Sequence, residues 1–230
     1  MNQGAQVLTP AGGGALAAQR NRVLRNTYWL LALSMVPTVL GAWIGVQTGI
    51  SQAMSPGIGL VVFLAGAFGF MFAIERTKNS AAGVPLLLAF TFFMGLMLAR
   101  LLGVVLGLSN GTGLVMTAFA GTGIIFLGMA TMSTVVKRDL TQMGKFLFIG
   151  MIMLLVAMIA NFFIQSGPLM ITLSVLAIGI FSLFILYDLK RVQDGVETNY
   201  ITATLGVYLS LYNVFSNLLA LLGIFGGDSD

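Results

Sequence analysis

Long apolar runs broken by short polar connections dominate the chain: roughly 28–49, 54–74, 82–106, 112–135, 146–165, 169–188 and 201–223. Each is close to the 20 or so residues that a helix needs to cross a hydrocarbon core of about 30 Å. Backbone groups in hydrocarbon have no water to bond, so the runs are predicted to be helices, and the ten-residue alternation of a membrane barrel is absent from the sequence. The expected fold is an all-α membrane protein with seven transmembrane helices. The expected organisation is a flexible cytoplasmic tail over 1–27, a seven-helix transmembrane domain over 28–224, and a short acidic tail over 225–230.

Within the last run the polar positions are periodic. Thr202, Gly206, Ser210, Asn213 and Asn217 recur every three or four residues, which keeps them on one helical face, with Tyr208 and Tyr212 opposite. A polar stripe is predicted to face the bundle, where it either bonds to neighbouring helices or lines a wet path. Small residues recur as well: Gly41, Gly45 and Gly49, then Gly103, Gly107 and Gly111, with Ala65 and Gly69 as a further pair. Lipid supplies no hydrophobic drive between helices, so such positions mark close contacts inside the monomer or a dimer seam.

Composition fits this pattern and narrows the chemistry. Of 230 residues, 58% are hydrophobic and 8% charged, and the mean hydropathy is +0.99. The chain has no Cys and no His. That excludes thiolate and imidazole metal sites, disulfides and Ser-His or Cys-His nucleophile pairs, and no catalytic residue, metal or cofactor is assigned. The formal charge of +4 follows from topology and implies no nucleic-acid partner.

The bases are one-sided. Arg20, Arg22 and Arg25 precede the first run, and Arg76, Lys78, Lys137, Arg138, Lys145, Lys190 and Arg191 lie in or beside alternate connections. The positive-inside rule then predicts a cytoplasmic N-terminus and a periplasmic C-terminus. Tyr28, Trp29, Trp43, Tyr187 and Tyr200 suit interfacial belts.

Two charges stand apart. Arg100, about 27 Å along the third run, reaches the outer surface, where it either snorkels or acts, and it is predicted not to pair with Asp188. Asp188 closes the sixth run. It is either a boundary carboxylate paired with Arg191 or part of an interior site shared with the last helix. The Tyr187–Asp188 pair is similar to that of intramembrane aspartyl proteases, but the last helix carries no second acid, which leaves no carboxylate dyad for catalysis.

The words "RVLRNTYWLL", "YDLKRVQDG" and "ETNYITATLGVYLSLYNVFSNLLALLG" resemble the Bax inhibitor-1 family from about residue 20 onward, nearest to its bacterial members that modulate the FtsH protease. The resemblance implies six helices surrounding a central seventh, in a bacterial inner membrane. It implies two activities. One is modulation of FtsH as a resistant membrane substrate, engaged through the cytoplasmic N-terminal tail. The other is a pH-sensitive leak of calcium or protons, gated by two aspartates and an arginine latch of the second helix. Asp188 matches the first aspartate, Ser210 occupies the position of the second, and Arg76 is the base of the second helix within reach of Asp188.

Overall fold

A computed structural model describes residues 11–226. The described residues form seven long helices, with one short turn of helix between the first two: α1 (Ala11–Thr48), α2 (Ile50–Ala53), α3 (Pro56–Thr77), α4 (Gly83–Leu106), α5 (Gly111–Val135), α6 (Thr141–Ile164), α7 (Gly167–Gln193) and α8 (Tyr200–Gly226). All seven long helices are apolar enough to cross a membrane, and no strand occurs among the described residues. Trp29 and Trp43 both face outward on α1, about 21 Å apart along its axis. The other expected belt residues turn inward: Tyr187 lies against Gly144 of α6, and Tyr200 packs on the core.

The tail expected to be flexible through residue 27 is instead helical from Ala11 onward, and residues 1–10 lie outside the described part. The reason is an amphipathic register hidden among the bases. Val23 and Thr27 are buried while Arg22 and Arg25 point to solvent, and Val23 packs with Val192 of α7 and Ala203 of α8. Arg20 adds a hydrogen bond to the Gln193 carbonyl at 3.2 Å. At the other terminus α8 continues to Gly226, and 227–230 lie outside the described residues.

The most extensive packing is between α1 and α4, and small residues make it possible. A Cβ on Gly41 would collide with the Phe92 carbonyl, one on Gly95 with the Thr38 carbonyl, and one on Gly45 with Ala99. The backbones meet where side chains are missing, which maximises dispersion contact in the absence of a hydrophobic drive. Ala65 and Gly69 do not take part: both are exposed, and Gly66, one residue along, receives the Phe93 ring instead.

α8 is shielded along nearly its whole length. No side chain between residues 201 and 223 is exposed, and Val207, Tyr208, Val214 and Leu219 are inaccessible or nearly so. Its extensive contacts run to α1, α4, α5 and α7, while α3 packs on α4 and α6 on α7.

Side-chain bonds tie the base-bearing ends together. Asn199 caps α8, its Oδ1 accepting from the Ile201 amide at 2.9 Å and the Thr202 amide at 3.2 Å, which satisfies two otherwise orphaned donors. Its Nδ2 donates to the Lys78 carbonyl at 3.1 Å and to Asn79 at 2.8 Å. Gln193 donates to Ser133 of α5 at 2.7 Å. Asp139, just ahead of α6, accepts from the Thr141 amide at 2.8 Å and from its hydroxyl at 2.6 Å. These bonds hold the Asp139 carboxyl below the usual carboxylate range.

Candidate functional site

Asp188 is not the last residue of its helix. α7 runs five residues further, to Gln193, so the carboxylate is half-buried between helices. What makes room for it is Gly206 on α8: a Cβ there would lie 2.7 Å from Asp188 Oδ2 and 3.1 Å from Cγ. Ser210, one turn further along the same face, is buried. The carboxylate therefore rests against the backbone of the polar stripe at its amino-terminal end.

No cation lies within 4 Å of Asp188 among the described residues. Arg191, the expected partner, pairs instead with Glu197 at 3.6 Å and lies over the Tyr187 ring, 5.7 Å from its centroid. Arg76 forms no latch either. It is exposed and sits over its own helix at Phe72, 4.8 Å from the ring centroid. The reason is architectural: α3, which carries Arg76, packs on α4 and makes no extensive contact with α7.

Beside Asp188 a cavity of about 680 Å³ opens between α6 and α7, lined in part by Thr141, Gly144, Lys145, Tyr187 and Arg191. Two bases and one carboxylate thus share a concave space. Lys145 and Thr141 escaped notice as site residues because nothing in their local pattern ties α6 to α7; Gly144, against which Tyr187 packs, is the one sequence sign of that approach.

The two amides of the polar stripe bond within their own helix. Asn213 donates to the Leu209 carbonyl and Asn217 to the Asn213 carbonyl, both at 2.8 Å and both within α8. The Thr202 hydroxyl is buried with no partner. Cross-helix bonds arise from other faces. Tyr208 shares a 2.9 Å hydrogen bond with the Thr38 hydroxyl of α1 and donates to the Thr91 carbonyl of α4 at 3.4 Å. Thr204 donates to its own-helix Tyr200 carbonyl at 2.7 Å and lies 3.4 Å from the Thr27 carbonyl of α1. The i−4 carbonyl is always within reach of a short polar side chain on a helix, so it wins unless a neighbour comes close. A tyrosine is too long for that local bond and must reach outward.

At the opposite end of α8, Asn213, Ser216 and Asn217 line a second cavity of about 480 Å³ together with Arg100 of α4. From Gly206 to Asn217 the axis rises about 16 Å, so Arg100 and Asp188 occupy separate ends of the bundle. The Arg100 guanidinium donates to the Met54 carbonyl at 3.3 Å.

No cluster of three or more acidic ligands able to hold a metal occurs among the described residues. The cavity beside Asp188 brings together that carboxylate, the bases Lys145 and Arg191, and the hydroxyls of Thr141 and Tyr187.

A family model described as inhibitor of apoptosis-promoting Bax1 matches residues 20–227. The sequence is 35% identical over 208 residues to the modulator of FtsH protease YccA of Escherichia coli K12, covering 90% of this chain and 92% of that protein. An uncharacterized membrane protein of Vibrio cholerae is 36% identical over 206 residues, covering 90% and 91%. An uncharacterized protein of Pseudomonas aeruginosa is 37% identical over 217 residues, covering 93% and 95%.

Proposed function

The chain belongs to the Bax1-I family, the inhibitors of apoptosis-promoting Bax1, and from that premise we propose that it modulates an FtsH-type membrane protease. The observation that carries this reading is the 35% identity to the E. coli modulator of FtsH protease, which extends over nine-tenths of both chains. The protein acts by binding and not by catalysis. It lies in the bacterial inner membrane with its N-terminus in the cytoplasm and its C-terminus in the periplasm, the other six spans arranged about α8.

Engagement occurs through the first 19 residues. Those described among them are mostly exposed and precede the Arg20 anchor on α7, so the protease can grip this segment without first breaking the core. Resistance to extraction resides in the α1–α4 contact, where interlocked backbones must separate before α1 leaves. A protease occupied with such a chain is withheld from other membrane substrates. The test is the degradation rate of a second membrane substrate by FtsH in proteoliposomes: adding the intact chain slows it, and an unchanged rate refutes the reading.

A second reading, a pH-sensitive leak of calcium or protons, is favoured by one observation, the unpaired Asp188 carboxylate beside a cavity. With Ser210 in place of a second acid, such a leak depends on Asp188 alone. Asp188→Asn then abolishes the pH dependence of calcium flux in liposomes; flux that is absent between pH 5 and 8, or indifferent to the substitution, rejects it.

A further inference from the structure

The cavity around Arg100 has the composition of an amphiphile site. Leu60 and Phe63 of α3, Met97 of α4, and Met158 and Phe162 of α6 give it apolar walls, and its volume of about 480 Å³ lies in the range of small-molecule pockets. One edge is polar. Arg100 is half-buried, has no carboxylate within 4 Å among the described residues, and uses its guanidinium on a single backbone carbonyl. An arginine has five donors, and those left without an acceptor in a partly dry site are costly.

A second, independent sign lies beside it. Ser51 also lines the cavity; it is 3% exposed, and its hydroxyl has no hydrogen-bond partner. Buried hydroxyls are ordinarily bonded, so one that finds no partner among the described residues and borders a cavity marks that wall as suited to a polar group of a ligand. Depth agrees with this. Arg100 stands 17 residues after Gly83 at the start of α4, about 26 Å along the axis, at the level where a bilayer's hydrocarbon gives way to headgroups. α3 packs on α4 and α6 on α7, with no extensive contact between α3 and α6 to close the cavity from the side.

We propose that this cavity binds an acyl chain bearing an anionic headgroup, the chain lying among Leu60, Met97, Met158 and Phe162 and the headgroup accepting from Arg100 and Ser51. The site is separate from Asp188 and does not depend on the protease reading.

Native mass spectrometry of the full chain in mild detergent tests it, with palmitoyl-oleoyl phosphatidylglycerol, oleate and palmitoyl-oleoyl phosphatidylcholine as probes. The wild type retains an anionic probe at least about tenfold more strongly than phosphatidylcholine, the scale expected for charge-assisted hydrogen bonds. Arg100→Gln removes that preference, Arg100→Lys keeps part of it, and Leu60→Trp, which fills the cavity with the charge retained, expels the probe. Retention of phosphatidylglycerol identifies the bilayer as the source, and retention of oleate alone identifies a free fatty acid; either supports the site. Equal retention of phosphatidylcholine overturns it. Should Arg100→Gln fail to fold, Leu60→Trp decides: an anionic adduct undiminished in that variant overturns the site as well.

Discussion

The two ends of α8 solve the same problem in different ways. At its amino-terminal end the helix is held by other elements: Asn199 caps it while reaching the α3–α4 turn, Val23 of α1 packs on Ala203, and Gly206 gives way to the Asp188 carboxylate. At its carboxyl-terminal end the polar groups are satisfied by α8 itself, Asn217 on Asn213 and Asn213 on Leu209, and the space beyond them is an open cavity. Polar residues on a membrane helix therefore carry two meanings. Those with a partner on another helix fix the bundle, and those bonded to their own carbonyls merely make a wall tolerable to polar occupants.

The comparison can be broken by substitution. The largest effect is expected from Gly95→Leu, which drives a side chain into the Thr38 backbone. Overpacking against a backbone that cannot yield costs about 3 kcal/mol or more, and the variant should lose most of its cooperative thermal transition in detergent. Next comes Asn199→Ala, which removes a helix cap and two cross-turn bonds at a cost of about 1–2 kcal/mol, read as a lowered midpoint of unfolding. Tyr208→Phe deletes the link from α8 to α1 and α4 and should cost about 0.6–1.7 kcal/mol, the range for hydrogen bonds between membrane helices.

Asn217→Ala removes only an intrahelical bond and should change the midpoint by less than Tyr208→Phe. The reverse order would show that the carboxyl-terminal wall is structural after all. The smallest effect belongs to Asp139. Its folded-state pKa is depressed by the Thr141 bonds, so its contribution is fully present above the ordinary aspartate value and fades as pH falls through the folded one. Asp139→Ala should abolish that acid-side loss and leave the neutral-pH midpoint nearly unchanged, since the group is exposed and screened.

Much of the architecture was legible in the sequence because hydrocarbon allows few choices. Twenty apolar residues must be a helix, and six of the seven runs end within about five residues of the observed spans, while the first span begins at Leu16, twelve residues ahead of its run. What escaped were features whose cause lies in another part of the chain. The helix upstream of residue 28 exists because Val23 and Thr27 have a surface on α7 and α8 to cover; the bases around them read as a solvated tail. Likewise the Asp188–Gly206 contact depends on the register of α7 against α8. Arg191 looked like the partner of Asp188 at a spacing of three residues, yet Glu197 beyond the helix end captures it. The Asn199 cap also went unread, although an Asn just ahead of an apolar run is a capping signal.

The most direct measurement is the rate at which FtsH degrades a second membrane substrate in proteoliposomes, with the intact chain and with a chain lacking residues 1–19. The truncation stops short of the Arg20 anchor, so both forms should melt alike. The account predicts that the intact chain slows degradation and the truncated one does not. Equal slowing by both forms would contradict engagement through the amino-terminal segment, and slowing by neither would contradict modulation itself.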